Sequence, residues 1–269
     1  MWKNIGKGGI WFAIYFGLQN VLSTITAMCY VFMNLESMPD TTNIEAFFNF
    51  IMEATVATAV PTLIISAIFT ILIYMLHRRR IQQPLDIKSI DWKKLMFFAG
   101  VGCMTNVAIS LVLNGIYSIM PESWVTLLEQ FTGTVSTGQP FVLLLLGTGI
   151  LVPMMEEITF RYGIHRNIAK SSVVWAYIIS AVVFGLIHGN PIQILYAAAI
   201  GVLLSFVYQK TNNLWYPIII HMAINSSSLF GAFFESEVAF FLTISGIGVA
   251  LIAIACIAKT CTKKSPKTA

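Results

Sequence analysis

Two adjacent carboxylates lie in a part of the chain that is apolar enough to cross a membrane. Glu156 and Glu157 directly follow 26 uncharged residues, at positions 130–155. Burying an ionised carboxylate in hydrocarbon costs free energy, so acids at that depth usually face a polar cavity and carry a function. Two further isolated ionisable residues, His188 and His221, lie in apolar stretches of the same half of the chain. We therefore predict that these four side chains form one buried polar site.

Helical spacing gives the two acids different surroundings. Glu157 and Arg161 are four residues apart and share a helix face, which allows an ion pair. Glu156 points about 100° away from Glu157. We therefore predict that Glu157 is a structural acid neutralised by Arg161, and that Glu156 is unpaired and available for chemistry. The alternative is that both acids merely mark the cytoplasmic end of a helix, although a helix C-terminus disfavours acids.

The two histidines come with different neighbours. His188 stands alone at the end of an apolar segment, where a satisfied polar residue is the alternative to a catalytic one. His221 and Asn225 are four residues apart, so they present a donor-rich face to a neighbouring helix. The alternative for this pair is interhelical hydrogen bonding, which membrane bundles use routinely and which also suits the three serines at 226–228.

A proline lies within one turn of each of these groups. Pro153 precedes Glu156, Pro191 follows His188, and Pro217 precedes His221. A proline inside a helix removes a backbone hydrogen bond and kinks the helix. We therefore predict kinks that splay the helices and admit water to the site. Irregular backbone at membrane depth is tolerated only around such a cavity.

The composition defines the elements that must hold the site. Of 269 residues, 57% are hydrophobic and 10% are charged. A soluble globular protein has about 25% charged residues, so the chain is predicted to be an all-α integral membrane protein. A membrane helix needs about 20 residues. Eight transmembrane helices are predicted, at about 10–33, 54–76, 95–118, 140–160, 172–188, 191–209, 214–233 and 238–258.

The charged residues orient these helices. In an eight-helix arrangement all 16 Lys and Arg fall on one side, while the opposite loops carry acids and no base. The positive-inside rule then places both termini in the cytoplasm. The basic residues are Lys3, Lys7, Arg78, Arg79, Arg80, Lys88, Lys93, Lys94, Arg161, Arg166, Lys170, Lys210, Lys259, Lys263, Lys264 and Lys267.

At the polar residues the chain resembles the CPBP family, also called Abi, which contains the type II CAAX prenyl endopeptidases and bacterial bacteriocin-processing relatives. The family motifs are EExxxR, FxxxH and HxxxN on successive helices. In this sequence they read Glu156 to Arg161, Phe184 to His188 and His221 to Asn225. The order and spacing match and all three motifs are intact. The resemblance covers about residues 140–230, whereas the first 130 residues match only in being hydrophobic.

The resemblance implies an intramembrane peptidase. Glu156 would be the general base that activates water, and His188 would assist or hold that water. His221 and Asn225 would stabilise the oxyanion of the tetrahedral intermediate, while Glu157 and Arg161 would brace the helix. A buried carboxyl group is suited to accept a proton near neutral pH.

The resemblance leaves open whether a metal ion takes part in the reaction. We expect a mechanism without a cofactor. The alternative is zinc or another divalent metal held by Glu156, His188 and His221, which make a plausible three-ligand catalytic set. The sequence has no HExxH motif, so these ligands would have to come from three helices.

The expected partners are the lipid bilayer and a membrane-embedded or membrane-associated peptide, such as a bacteriocin or pheromone leader, and no nucleic acid. The compact form, without a targeting extension, is typical of a multi-pass protein of the bacterial plasma membrane. We expect N-terminal helices over 1–130, a catalytic core over 131–235, and a last helix with a basic tail over 236–269.

Two other functions are alternatives to a peptidase. The first is a non-catalytic scaffold or bacteriocin self-immunity protein, in which loss of a motif residue would be expected. The second is a transporter, which would place polar groups in both halves of the chain. Here every motif residue is present and the polar groups lie in the second half. The sequence defines neither the substrate nor the oligomeric state.

Overall fold

The computed structural model describes residues 1–78, 90–128 and 138–263, and the regular structure within those ranges is entirely helical. Short helical turns also occur, among them one over residues 122–128. The helices of 14 residues or more in the described ranges are α1 (Trp2–Met33), α2 (Ile44–Arg78), α3 (Trp92–Ile116), α4 (Phe141–Ala169), α5 (Val173–Leu186), α6 (Pro191–Thr211), α7 (Trp215–Leu229) and α8 (Glu237–Lys263).

Six of these helices are long and apolar enough to cross a membrane, namely α1, α2, α3, α4, α6 and α8. The chain is therefore an all-helical, multi-pass membrane protein. The predicted spans at 172–188 and 214–233 are shorter than expected, because α5 has 14 residues and α7 has 15. The number of crossings and the orientation remain predictions. Several charges used to predict the orientation lie outside the described residues, namely Arg79, Arg80, Lys88, Glu129, Lys264 and Lys267.

The central element is α4, which packs against α1, α2, α5 and α7. It was expected to end near residue 160 but continues to Ala169. Two of its segments are π-helical, Leu145–Leu151 and Ile158–His165, and they flank the α-helical segment Val152–Glu157 that carries both acids. π-Helical turns are rare and occur often at functional sites.

Close approach of α3 fixes the position of α7. A Cβ atom on Gly102 would lie 2.5 Å from the carbonyl oxygen of Ile220, the residue before His221. A Cβ atom on Gly100 would likewise lie 2.6 Å from the carbonyl oxygen of Gly248 in α8. Small residues let membrane helices pack backbone to backbone, where dispersion forces are strongest. The helix that carries His221 is thus held against α3 without an intervening side chain.

The prediction that all three prolines kink helices is wrong for two of them. Pro191 is the first residue of α6, and Asn190 caps that helix by accepting from the backbone N–H groups of Ile192 and Gln193. Pro217 lies in the first turn of α7. The first turn of a helix has no internal partner for its N–H groups, so a proline there costs no hydrogen bond. These two prolines begin helices instead of bending them.

An interior proline does occur in α2, where the sequence gave no reason to expect a polar contact. Pro61 lacks the N–H group that would bond to the carbonyl of Ala57, four residues earlier. The side-chain amide of Gln139 lies there instead, with Nε2 3.4 Å from the Ala57 carbonyl oxygen and 3.3 Å from that of Val56. Gln139 immediately precedes α4, so this contact also ties the start of α4 to α2.

Candidate active site

Glu157 is fully buried and has two basic neighbours. The Arg161 Nε atom lies 3.0 Å from Oε2 of Glu157, and both side chains have no exposed surface. The predicted ion pair is therefore present, although its angle is not that of a hydrogen bond, and no hydrogen-bond partner of the Arg161 guanidinium is found within the described ranges. The guanidinium lies over the ring of Phe184, 4.6 Å from its centre. On its other oxygen Glu157 accepts a hydrogen bond of 2.9 Å from Nδ1 of His221.

Glu156 is nearly buried and was expected to be unpaired, which is wrong. The hydroxyl group of Tyr15 donates to Oε1 of Glu156 at 3.3 Å, and Nε2 of His221 lies 3.6 Å from Oε2. The side chain of Glu156 keeps 8% of its surface exposed, in contrast to none for Glu157. Glu156 thus lacks a permanent cation but has polar neighbours that can orient it and share a proton.

Tyr15 belongs to α1 and is 141 positions from Glu156, and sequence reasoning missed it. A tyrosine in an apolar helix also suits the membrane interface, so the sequence around Tyr15 carries no signal of a catalytic contact. The ring of Tyr15 packs on Phe160, and Phe160 packs on Phe184, at centre distances of 5.6 and 5.2 Å. The buried rings of Phe160 and Phe184 form an apolar wall beside the acids.

His221 lies between the two carboxylates. A carboxylate only accepts hydrogen bonds, so Nδ1 of His221 carries the proton in its contact with Glu157. A neutral His221 then presents an unprotonated Nε2 towards Glu156, whereas the charged ring presents an N–H group to both acids. One ring nitrogen of His221 thus faces each of the two acids.

Asn225 contacts the backbone of α4, about two turns before the acids. Pro153 has no N–H group, so the carbonyl that it would bond is free, that of Gly149 in α-helical spacing or of Thr148 in π-helical spacing. Asn225 Nδ2 donates to the Thr148 carbonyl at 3.0 Å, and Ser226 Oγ donates to the Gly149 carbonyl at 3.3 Å. The interhelical hydrogen bonding weighed as an alternative for Asn225 and its neighbouring serines is therefore present. One N–H group of the Asn225 amide remains available for another acceptor.

His188 lies at the edge of this cluster. It is half-buried, and its Nδ1 lies 2.9 Å from the carbonyl oxygen of Phe184, so the proton is on Nδ1 and the neutral ring presents Nε2 as an acceptor. The ring of Phe184 separates the two histidines, with its centre 5.3 Å from that of His188 and 5.6 Å from that of His221. Within the described ranges no hydrogen bond or ion pair joins His188 to Glu156 or Glu157.

The possible metal ligands form no group. Across residues 1–78, 90–128 and 138–263, no three side chains of His, Cys, Asp or Glu are arranged so that they could hold a metal ion. The alternative ligand set of Glu156, His188 and His221 is therefore not arranged to hold a metal ion. Glu156 and His221 are neighbours, while His188 directs Nδ1 to its own helix.

Comparison with known proteins places this site in a class. The profile of the type II CAAX prenyl endopeptidase Rce1-like family matches residues 138–227, which contain α4 to α6, all but the last two residues of α7, and all three motifs. The resemblance predicted from the motifs is therefore confirmed for this segment. The fold and the match together define a multi-pass membrane protein with a core similar to that of CAAX-type membrane proteases.

Two curated proteins are similar to the chain. "Putative membrane peptidase YdiL" of Bacillus subtilis (strain 168) is 33% identical over 89 residues, which is 33% of this chain and 36% of that protein. "UPF0177 protein YxdF" of Lactococcus lactis subsp. lactis (strain IL1403) is 28% identical over 172 residues, which is 63% of this chain and 90% of that protein. The chain thus spans about a third of YdiL and most of YxdF. No solved structure shows a significant match.

Proposed function

We propose that this protein is an intramembrane endopeptidase that hydrolyses a peptide bond by water activated at Glu156. The observation that carries the proposal is the contrast between the two acids. The charge of Glu157 is paired directly with Arg161. Among the described residues, the side chains in direct polar contact with Glu156 are Tyr15 and His221, and Glu156 keeps slight access to solvent. The match to the Rce1-like family supports the reaction class.

In the proposed reaction a water molecule lies between Glu156 and the carbonyl carbon of the substrate. Glu156 takes a proton from the water as its oxygen attacks the carbon, and the carbonyl oxygen becomes an oxyanion. The intermediate collapses with cleavage of the C–N bond. The proton held by Glu156 passes to the leaving nitrogen, so the carboxylate is restored and one water molecule is consumed.

The other site residues support this step. The unprotonated Nε2 of His188 is suited to accept a hydrogen bond from the water, as its Nδ1 proton is committed to Phe184. Oxyanion stabilisation requires donors held in place before the reaction, and we assign it to Asn225 and to the charged ring of His221, in which Nε2 also carries an N–H group. Tight packing of α7 against α3 favours such preorganisation. Glu157 and Arg161 hold His221 and α4 in position.

The proposed mechanism uses no metal. The competing scheme has zinc or another divalent metal at Glu156, His188 and His221. Purified protein should keep full activity in a strong chelator and contain no stoichiometric metal by elemental analysis. A tightly bound zinc whose removal abolishes activity would establish the competing scheme.

The proposed substrate is a short membrane-associated peptide, such as a bacteriocin or pheromone leader, or the tail of a membrane protein. The proposed location is the bacterial plasma membrane, with eight spans and both termini in the cytoplasm. Contacts between helix ends support this arrangement. Asn4 of α1 donates to Ser171, just after α4, so the start of α1 lies beside the end of α4. Lys93 of α3 donates to the Ala258 carbonyl of α8, so the start of α3 lies beside the end of α8. Basic residues from these four helices lie near these two pairs of helix ends.

The enzymatic proposal is tested with Glu156→Gln, which keeps the shape of the side chain and removes its basicity. Membrane peptides of cells with this variant are compared with those of wild type at matched protein abundance. A cleavage product should disappear in Glu156→Gln and persist in Glu45→Gln, which removes an acid from an exposed position. Identical peptide profiles for wild type and Glu156→Gln would refute the peptidase and favour a scaffold or immunity protein.

The orientation is tested by labelling single cysteines in a variant without the four native cysteines. Asn43→Cys, before α2, should react with an impermeant thiol reagent added outside the cell. Ser171→Cys, between α4 and α5, should react only after the membrane is opened. Labelling of Ser171→Cys in intact cells would reverse the proposed orientation.

A further inference from the structure

A basic cavity of about 270 Å³ lies away from the acids, where α1 begins and where α2 and α4 end. Its size is near the lower limit for small-molecule sites, so it suits a small group better than a long chain. The lining residues are Lys7, Ile10, Trp11, His77, Tyr162, Arg166, Asn167 and Lys170. No residue of this lining belongs to the three motifs.

The charges of the lysine and arginine side chains that line this cavity are all positive. In the parts of the chain that the structure describes, neither Lys7, Arg166 nor Lys170 forms an ion pair with a carboxylate. Desolvation, together with the charges of Arg166 and Lys7, lowers the pKa of Lys170. Part of this lowering comes from repulsion of the Lys170 ammonium by Arg166 and Lys7, and an anion between these side chains would relieve that repulsion.

The aromatic side of the cavity, formed by Trp11 and Tyr162, is tightly packed. The rings of Trp11 and Tyr162 are buried and meet edge to face, 5.4 Å between centres. A Cβ atom on Gly163 would lie 2.5 Å from Cβ and Cγ of Trp11, so α1 rests directly on the backbone of α4 at this point. The guanidinium of Arg166 stacks on Tyr162 at 5.1 Å. The guanidinium of Arg166 is therefore held against a packed aromatic pair.

We propose that this cavity binds a phosphate group and that the phosphate belongs to the headgroup of an anionic phospholipid. Basic cavities between transmembrane helices at the cytoplasmic surface recognise such headgroups, and the cytoplasmic leaflet is the anionic one. The cavity lies at the ends of α1 and α4 that carry clustered Lys and Arg. Tryptophan and tyrosine side chains are also enriched at the headgroup level of a bilayer.

The site has a consequence for α1. The bound headgroup would bridge Lys7 of α1 to Arg166 and Lys170 at the end of α4, and so hold the two helices together. Tyr15 lies two turns further along α1 and contacts Glu156. An anionic lipid would thereby stabilise the helix pair from which Tyr15 reaches the candidate active site, whether or not the protein is a peptidase.

The test uses the full chain in nanodiscs of phosphatidylcholine alone or of phosphatidylcholine with phosphatidylglycerol. Lipids retained on the protein are counted by native mass spectrometry, and thermal unfolding is measured in parallel. The pocket variant is Lys7→Gln with Lys170→Gln. The matched control is Lys3→Gln with Lys210→Gln, which removes the same charge from exposed positions outside the cavity. Inorganic phosphate in lipid-free detergent is the probe for a soluble ligand.

The wild type and the control variant should retain phosphatidylglycerol in preference to phosphatidylcholine and unfold at higher temperature with it. The pocket variant should bind phosphatidylglycerol roughly 30-fold more weakly, as expected for two lysines at a membrane surface. Equal losses in both variants would overturn the proposal in favour of general surface charge. Stabilisation by inorganic phosphate without any lipid preference would overturn the lipid source and assign the cavity to a soluble phosphate compound. No response to either probe would exclude a phosphate site.

Discussion

Two transmembrane helices contain an interior proline, and in each the carbonyls freed by the proline accept hydrogen bonds from a distant segment. In α2 the partner of the backbone near Pro61 is the amide of Gln139. In α4 the partners of the backbone before Pro153 are Asn225 and Ser226. Unsatisfied backbone groups are costly in hydrocarbon, so both contacts solve the same problem.

The difference between the two places is what lies nearby. No ionisable residue is found within one turn of Pro61, whereas Glu156 follows Pro153 by three residues. The contact at α2 secures a helix, and the contact at α4 also sets the position of the acids relative to α7. An amide that bonds a proline-freed carbonyl is therefore no indication of catalysis by itself. Comparing the two amides separates the structural part of the Asn225 role from the catalytic part.

The largest effect is expected for Asn225→Ala. Loss of a preorganised oxyanion donor lowers turnover by about 100- to 1,000-fold. Gln139→Ala removes an amide from an equivalent backbone contact and should leave turnover unchanged, while both variants lose thermal stability. Substrate binding should persist in Asn225→Ala, and adding His221→Ala should cost less than the two single losses combined, because residues that act as a unit are non-additive. Similar turnover in Asn225→Ala and Gln139→Ala would make Asn225 a structural residue.

A smaller effect is expected for Tyr15→Phe. Tyr15 and Tyr30 are both in α1 and both donate to a glutamate, Tyr15 to the buried Glu156 and Tyr30 to the exposed Glu53. A hydrogen bond to a buried charged group contributes about 1.4 kcal/mol or more, so Tyr15→Phe should lower turnover about tenfold. Tyr30→Phe is the control and should not change turnover. Full activity of Tyr15→Phe would remove α1 from the catalytic machinery.

Restoring the backbone N–H group that Pro153 lacks separates the structural role of Asn225 from its proposed catalytic role. Pro153→Ala supplies one backbone donor, which in π-helical spacing bonds to the carbonyl of Thr148, so Asn225 is no longer needed there. Combined with Asn225→Ala, it should recover thermal stability by about 1–3 kcal/mol, the cost of an unsatisfied buried group. Turnover should stay low if Asn225 has a catalytic role. Recovery of both stability and turnover would contradict the oxyanion assignment.

The smallest effect is expected for Ser226→Ala. Its hydroxyl group bonds the Gly149 carbonyl at 3.3 Å, beside the Asn225 contact. Loss of a single neutral hydrogen bond costs about 0.5–1.5 kcal/mol. The melting temperature should fall slightly and turnover should change little. A turnover loss comparable to that of Asn225→Ala would mean that the whole interface of α7 with α4, and not one amide, supports the reaction.

The sequence was sufficient to predict the features that depend on local spacing. The composition predicted membrane helices, the four-residue spacing allowed a pair of Glu157 with Arg161, and both features are present. The three motifs also predicted the family that the comparison found. Such features follow from helix geometry alone and need no knowledge of the neighbouring helices.

What the sequence did not predict depends on contacts between distant segments. The π-helical segments of α4, on either side of Val152–Glu157, are changes in backbone hydrogen bonding that a hydrophobic pattern does not record. The contact of Tyr15 with Glu156 and the contact of Gln139 with α2 both join residues more than 80 positions apart. Polar groups in apolar helices also have several possible partners, so their pairing was decided only by the packing.

The short helix α5 has a consequence for the surrounding lipid. With 14 residues it rises about 21 Å, whereas the hydrocarbon layer is about 30 Å thick. In the proposed topology its turn into α6, which contains His188 and the buried Asn190, would therefore end below the membrane surface. A bilayer adapts to such a mismatch by thinning locally. Acyl chain length should thus act on the protein at the same end of α5 that carries His188, with shorter chains relieving the strain on this hairpin.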